Sequence, residues 1–96
     1  MYEGLYKIVS QEKDRIRICL SDHTHPIFQA HFPGNPLLPG FIHFEIIADI
    51  FDLEITEIKK AKFISPVLPL QEVVYTKNGN KFKVSIDDKV VATFSL

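Results

Sequence analysis

Short alternating runs of apolar and polar residues occupy both ends of the chain, and a denser apolar block lies between them. Leu5 to Val9 and Arg15 to Leu20 are rich in β-branched and aromatic residues, and Ile16, Ile18 and Leu20 alternate with Arg15, Arg17 and Cys19. That period suits a half-buried strand. The polar stretch Ser10 to Asp14 predicts a hairpin turn between the two. Alternation returns from Ile55 to Ile64, where Ile58, Lys60, Lys62 and Ile64 oppose Lys59, Ala61 and Phe63. Further strands are expected over Glu72 to Thr76, Lys81 to Ile86 and Lys89 to Leu96. Phe82, Val84 and Ile86 form one apolar row, and Val90, Ala92, Phe94 and Leu96 another. Asn78-Gly79 is a strong two-residue hairpin signal because both residues tolerate positive φ, and Asp87-Asp88 is a weaker one.

The central block is different. Pro26, Pro33, Pro36 and Pro39 punctuate a segment that predicts an ordered loop rather than a helix, since each proline lacks a donor and restricts the residue before it. Phe41 to Phe51 then follows, apolar nearly all round, which marks a helix buried on most sides, with Pro39-Gly40 at its entry. The order is strand, strand, proline loop, one helix, then four strands. A single apolar helix among antiparallel strands must be covered by the sheet. The expected class is α+β, a hotdog arrangement in which an antiparallel sheet wraps one buried central helix, with residues 1–96 as one domain.

Composition narrows the function. Ninety-six residues with a net charge of −1 offer no basic footprint for nucleic acid. The chain is near the lower size limit for independent folding, so self-association would add stability. A single cysteine, Cys19, forms no internal disulfide and is read as a structural thiol. Neither a signal peptide nor a membrane span is expected, and the assigned compartment is the cytoplasm.

The chemistry concentrates in Pro26-Ile27-Phe28-Gln29-Ala30-His31-Phe32-Pro33-Gly34-Asn35-Pro36-Leu37-Leu38-Pro39-Gly40, followed by Glu45. These residues resemble the signature of the (3R)-hydroxyacyl-[acyl-carrier-protein] dehydratases, P-x-F-Q-G-H-F-P-G-x-P-x-x-P-G and then a Glu or Asp. The segments Ile58 to Phe63 and Pro66 to Pro69 also resemble the strand that follows the helix in that family. The resemblance implies a lyase of fatty-acid or related lipid metabolism, with His31 and Glu45 as its acid–base pair. It also implies that the two face one substrate from different subunits of a homodimer, which leaves a larger assembly open. Phe32, Pro33, Gly34, Leu38, Pro39 and Phe41 would then line a tunnel for a pantetheine-linked substrate, with no metal or other cofactor.

The residue types suit that reaction. Removing the α-proton of a 3-hydroxyacyl thioester needs a base with a pKa near working pH, which a neutral imidazole provides. Expelling hydroxide needs an acid that stays protonated, and the apolar neighbours of Glu45 predict its desolvation. The enolate oxygen needs a waiting donor, and the Gly40 amide at the helix start is the candidate.

Other features carry less. His23-x-His25 could chelate, but no cysteine or convincing carboxylate completes a metal set, and a solvated turn is the expectation. His43, two residues before Glu45, falls on another face of the helix, in a structural or interface role. Lys60 and Lys62 are candidates for docking an acyl carrier protein. Against the family pattern, Ala30 replaces a glycine, Asp49 a glutamine and Leu70 a common glycine. The alternatives are a hotdog thioesterase, in which the helix carboxylate activates water, and a non-catalytic module that holds acyl chains.

Overall fold

A computed structural model describes residues 2–30 and 34–96. Among them six strands form one antiparallel sheet in the order β1-β2-β4-β5-β6-β3. The strands are β1 (Tyr6–Gln11), β2 (Arg15–Leu20), β3 (Lys60–Phe63), β4 (Glu72–Asn78), β5 (Lys81–Ile86) and β6 (Lys89–Ser95). Helices α1 (Pro26–Ala30) and α2 (Ile42–Ile50) lie between β2 and β3 in sequence.

Antiparallel partners share a face, so the register identifies the inner surface. Ile18 opposes Ile8 and Val73, and Ile16 opposes Tyr75. Tyr75 opposes Val84, Val84 opposes Ala92, and Ala92 opposes Phe63. This apolar surface joins the buried residues Ile42, Ile46, Ile47 and Ile50 of α2 in one core. Burying each such side chain is worth roughly 1.5–3 kcal/mol, which is what seats the helix against the sheet. The other surface carries Lys7, Arg15, Arg17, Lys60, Lys62, Lys81 and Lys83.

Several expectations are corrected. The proline segment contains α1: Pro26 occupies its first turn, where a missing N–H costs nothing. His25 caps that helix instead of sitting in solvent. Its Nδ1 accepts the Ile27 N–H (3.0 Å), which leaves Nε2 protonated to donate to the Glu3 carbonyl (2.8 Å). β1 runs on to Gln11 through a bulge between Ile8 and Ser10, which shortens the hairpin turn. β3 begins only at Lys60, because its partner β6 runs out at Ser95. In β6 the register shift opposite Val84 and Ser85 turns Val91 inward, where Val90 was expected.

Two positions bear on stability. Leu70, where a glycine is common, has φ +67°, a left-handed conformation that crowds its Cβ. His43 and Tyr75 form a polar pair inside the core, with His43 Nδ1 2.7 Å from Tyr75 Oη. Burial holds the imidazole down to about 4 from its usual 6.5, and pushes the Tyr75 phenol up.

Leu70→Gly is expected to raise stability by about 1 kcal/mol, since the side chain is two-thirds exposed (67%) and contributes little packing. Chemical denaturation checks this. The His43 shift has a definite sign. Between pH 6.5 and about 4 the unfolded chain binds a proton that the folded chain does not, so stability falls as pH falls through that window. The loss is on the order of 3 kcal/mol. Urea unfolding at pH 7 and pH 4 should show a larger drop for the wild type than for His43→Leu.

Candidate active site

The spacing of buried residues on α2 decides where Glu45 points. With Ile42, Ile46, Ile47 and Ile50 turned inward, positions 41, 45 and 49 recur at i, i+4 along one open stripe. The helix is therefore not enclosed all round, and Glu45 is exposed on it. This corrects the expectation that neighbouring residues of α2 shield its carboxyl: Ile47 is fully buried in the core, and Ile46, though buried, leaves Glu45 exposed beside it. Glu45 lines a cavity of about 640 Å³ with Tyr2, Glu3, Gly4, Tyr6, Ile46, Ala48 and Asp49. The segment before β1 forms one wall of this cavity. It is anchored by the fully buried Leu5, whose carbonyl accepts the Ser21 N–H (2.7 Å), and by the His25 bond to Glu3.

Asp49, one turn after Glu45, is not a bare second carboxylate, because the Tyr6 hydroxyl donates to its Oδ2. Burial, then the bond to Asp49 and then the Asp49 charge, push the Tyr6 phenol up. The Tyr6–Asp49 pair closes one side of the cavity and was not foreseen from the sequence, since its members are far apart in the chain.

Gly40 belongs to a different recess, a groove of about 510 Å³ shared with Leu37, Leu38, Phe41, His43, Phe63, Ile64, Ser65, Pro66 and Val67. The Leu38 N–H donates to Val67 (2.8 Å), which pins the end of the proline loop to the segment after β3. Among the described residues the Gly40 N–H has no hydrogen-bond partner. It precedes the first turn of α2, where the helix dipole favours negative charge. A Cβ at Gly40 would lie 2.9 Å from the Phe63 ring, so a larger residue there would have to push that ring aside. An accessible amide at a helix start is the geometry that a developing oxyanion requires.

The structure thus gathers Leu38, Gly40 and Phe41 in one groove and places Glu45 in another cavity. Pro39 is buried beside Gly40 in sequence, and Gly34 sits in an exposed turn with φ +77°. His31, Phe32 and Pro33 lie outside the described residues. Lys60 and Lys62 line a third, open groove of about 870 Å³ on the outer sheet face, with Lys81 and Lys83 across Ser95 and Thr93. Among the described residues no group of three or more His, Cys, Asp or Glu side chains is placed to hold a metal, and no helix is long and apolar enough to cross a membrane.

Comparison with known proteins identifies the family. The family model described as ApeI-like, ApeI dehydratase, matches residues 8–95. The chain is 34% identical to the 3-hydroxyacyl-[acyl-carrier-protein] dehydratase FabZ of a Sulfurovum species, over 76% of this chain and 68% of that protein. It is 33% identical to the FabZ of Ehrlichia chaffeensis, over 68% of this chain and 60% of that protein. In structure it is similar to a chain of the dehydratase heterocomplex ApeI:P from Xenorhabdus doucetiae, with a TM-score of 0.69, 19% identity and 93% of each chain covered. That match supports the hotdog fold. Sequence and family model together show that the chain belongs to the ApeI-like dehydratases, a family related to the FabZ enzymes.

Proposed function

We propose that the chain dehydrates 3-hydroxyacyl thioesters borne on acyl carrier protein to trans-2-enoyl thioesters, at a site completed by a second copy of itself. His31 takes the α-proton as the C–H bond breaks. The Gly40 N–H receives the growing charge on the thioester oxygen. Glu45 of the other copy protonates the 3-hydroxyl, the C–O bond breaks, and water leaves as the C=C bond forms. The steps are proton transfers, so the reaction draws on no cofactor beyond the pantetheine arm of the substrate. A cytoplasmic location suits this role.

The observation that carries the proposal is the separation of Gly40 and Glu45 into different recesses of one chain. A second copy brings the Gly40 groove of one chain against the Glu45 cavity of the other. β3 is a sheet edge with every residue exposed. Phe41, Phe63 at the end of β3 and the following Ile64 are each about half exposed (52%, 50% and 51%). Covering that apolar patch stabilises a dimer, and a second copy laid over the Glu45 cavity excludes water from it. The structural neighbour was solved as a heterocomplex, so a different partner chain is the second reading of what completes the site.

The outer face suits an acidic carrier. Lys60, Lys62, Lys81 and Lys83 share one groove, and the only ion pair among the described residues is Arg17 with Glu72, elsewhere on the sheet. Complementary charge of this kind raises the rate of encounter and selects the partner.

His31→Ala and Glu45→Gln are each expected to lower the rate ~10²–10⁴-fold on a 3-hydroxyacyl thioester, without release of free thiol. Mixing the two inactive variants should restore about a quarter of the wild-type rate, because half of the random dimers are mixed and one of their two sites is intact. No recovery after mixing, with exchange of subunits verified, overturns the two-copy site. A double change of Lys60→Glu and Lys62→Glu should raise KM for the carrier-borne substrate but not for a small-thiol thioester, and the difference should fade with added salt.

A further inference from the structure

The Gly40 groove holds a polar group that this mechanism leaves unused. His43 is 3% exposed and lines the groove with Gly40, its ring stacked against Phe63 at a centroid distance of 6.3 Å. Its backbone N–H donates to the Gly40 carbonyl (3.1 Å), which holds the two residues together at the start of α2.

The hydrogen-bond pattern assigns the tautomer. Tyr75 is fully buried, and His43 Nδ1 is the only partner of its hydroxyl among the described residues. Were the imidazole to donate to Tyr75, the phenolic proton would be stranded in the core, at a cost of ~1–3 kcal/mol. Donation from Tyr75 to Nδ1 satisfies both groups and leaves the ring hydrogen on Nε2. Nε2 has no partner among the described residues, and no buried side-chain nitrogen or oxygen there is both sealed from solvent and unpaired. Nε2–H is therefore not fully sealed from solvent, and the recess that His43 lines is the Gly40 groove. A mostly apolar recess then contains two N–H groups without a partner among the described residues, one from the Gly40 backbone and one from His43. Such donors in an apolar wall call for an acceptor.

We propose that His43 Nε2–H is a substrate-binding donor that holds a carbonyl oxygen of the pantetheine-linked acyl chain beside the Gly40 amide. The inference rests on the dehydratase reading above and deepens it. The carbonyl belongs either to the thioester or to an amide of the pantetheine arm. Burial keeps the imidazole uncharged at neutral pH, so it polarises the oxygen as a neutral donor and keeps its proton throughout.

The test compares wild type, His43→Gln, which retains an N–H donor, and the double variant His43→Leu with Tyr75→Phe, which removes the donor without stranding the phenol. The double variant is expected to stay folded. A thioester contact predicts a fall in kcat of ~10²–10³-fold, and an amide contact a KM rise of ~10-fold with kcat kept. His43→Gln should recover most of either loss. With an unreactive enoyl thioester bound, the double variant should raise the stretching frequency of the contacted carbonyl, while His43→Gln keeps it low. Unchanged kcat, KM and carbonyl frequencies in a folded double variant overturn the proposal. If the wild type itself fails to dehydrate, the activity assignment falls, and the carbonyl frequencies still decide the role of His43.

Discussion

The sheet covers α2 from one side only, and the rest of the molecule follows from that. Five inward residues of the helix, Ile42, His43, Ile46, Ile47 and Ile50, seat it on the inner face of the sheet. The stripe through Phe41, Glu45 and Asp49 is left open. Helical periodicity allows no other result once those five are buried, because positions one turn apart share a face. The same constraint that stabilises the core therefore presents the carboxyl outward. It also leaves an apolar margin along β3 that a single chain does not cover.

Electrostatic work is divided within the molecule in a way its net charge of −1 conceals. Glu3, Glu45 and Asp49 gather around one cavity on the helix side, and the outer sheet face is lined with lysine and arginine. Between them the Gly40 groove carries no formal charge, and its mostly apolar wall includes the Gly40 backbone, His43 and Ser65. A neutral donor site of this type responds to charge that develops during reaction without paying to bury an ion beforehand.

Departures from the family signature acquire physical content in the structure. Leu70 replaces a glycine at a backbone position with φ +67°, so strain accompanies the change. Asp49 replaces a glutamine and is held by the Tyr6 hydroxyl, so its added charge has a fixed donor. Ala30 is exposed at the last position of α1, where its methyl group meets no crowded core. The structural cost of these changes falls mainly on Leu70.

Local pattern by itself determined the six strands and the central helix α2, because alternation in Arg15 to Leu20 and Lys81 to Ile86 and the dense apolar run of α2 are set by neighbours in sequence; the short α1 escaped it, because its prolines read as loop. The dehydratase signature was likewise legible, since its spacing from Pro26 to Glu45 is linear. Tertiary structure alone decided what depends on residues far apart. It ended β3 where β6 runs out, turned Val91 inward at a bulge, and paired Tyr6 with Asp49 and His43 with Tyr75. It also put Gly40 and Glu45 in separate recesses, although only five positions separate them. Spacing along a helix gives the angle between two side chains, but which surface covers each is settled only when the sheet packs against one side.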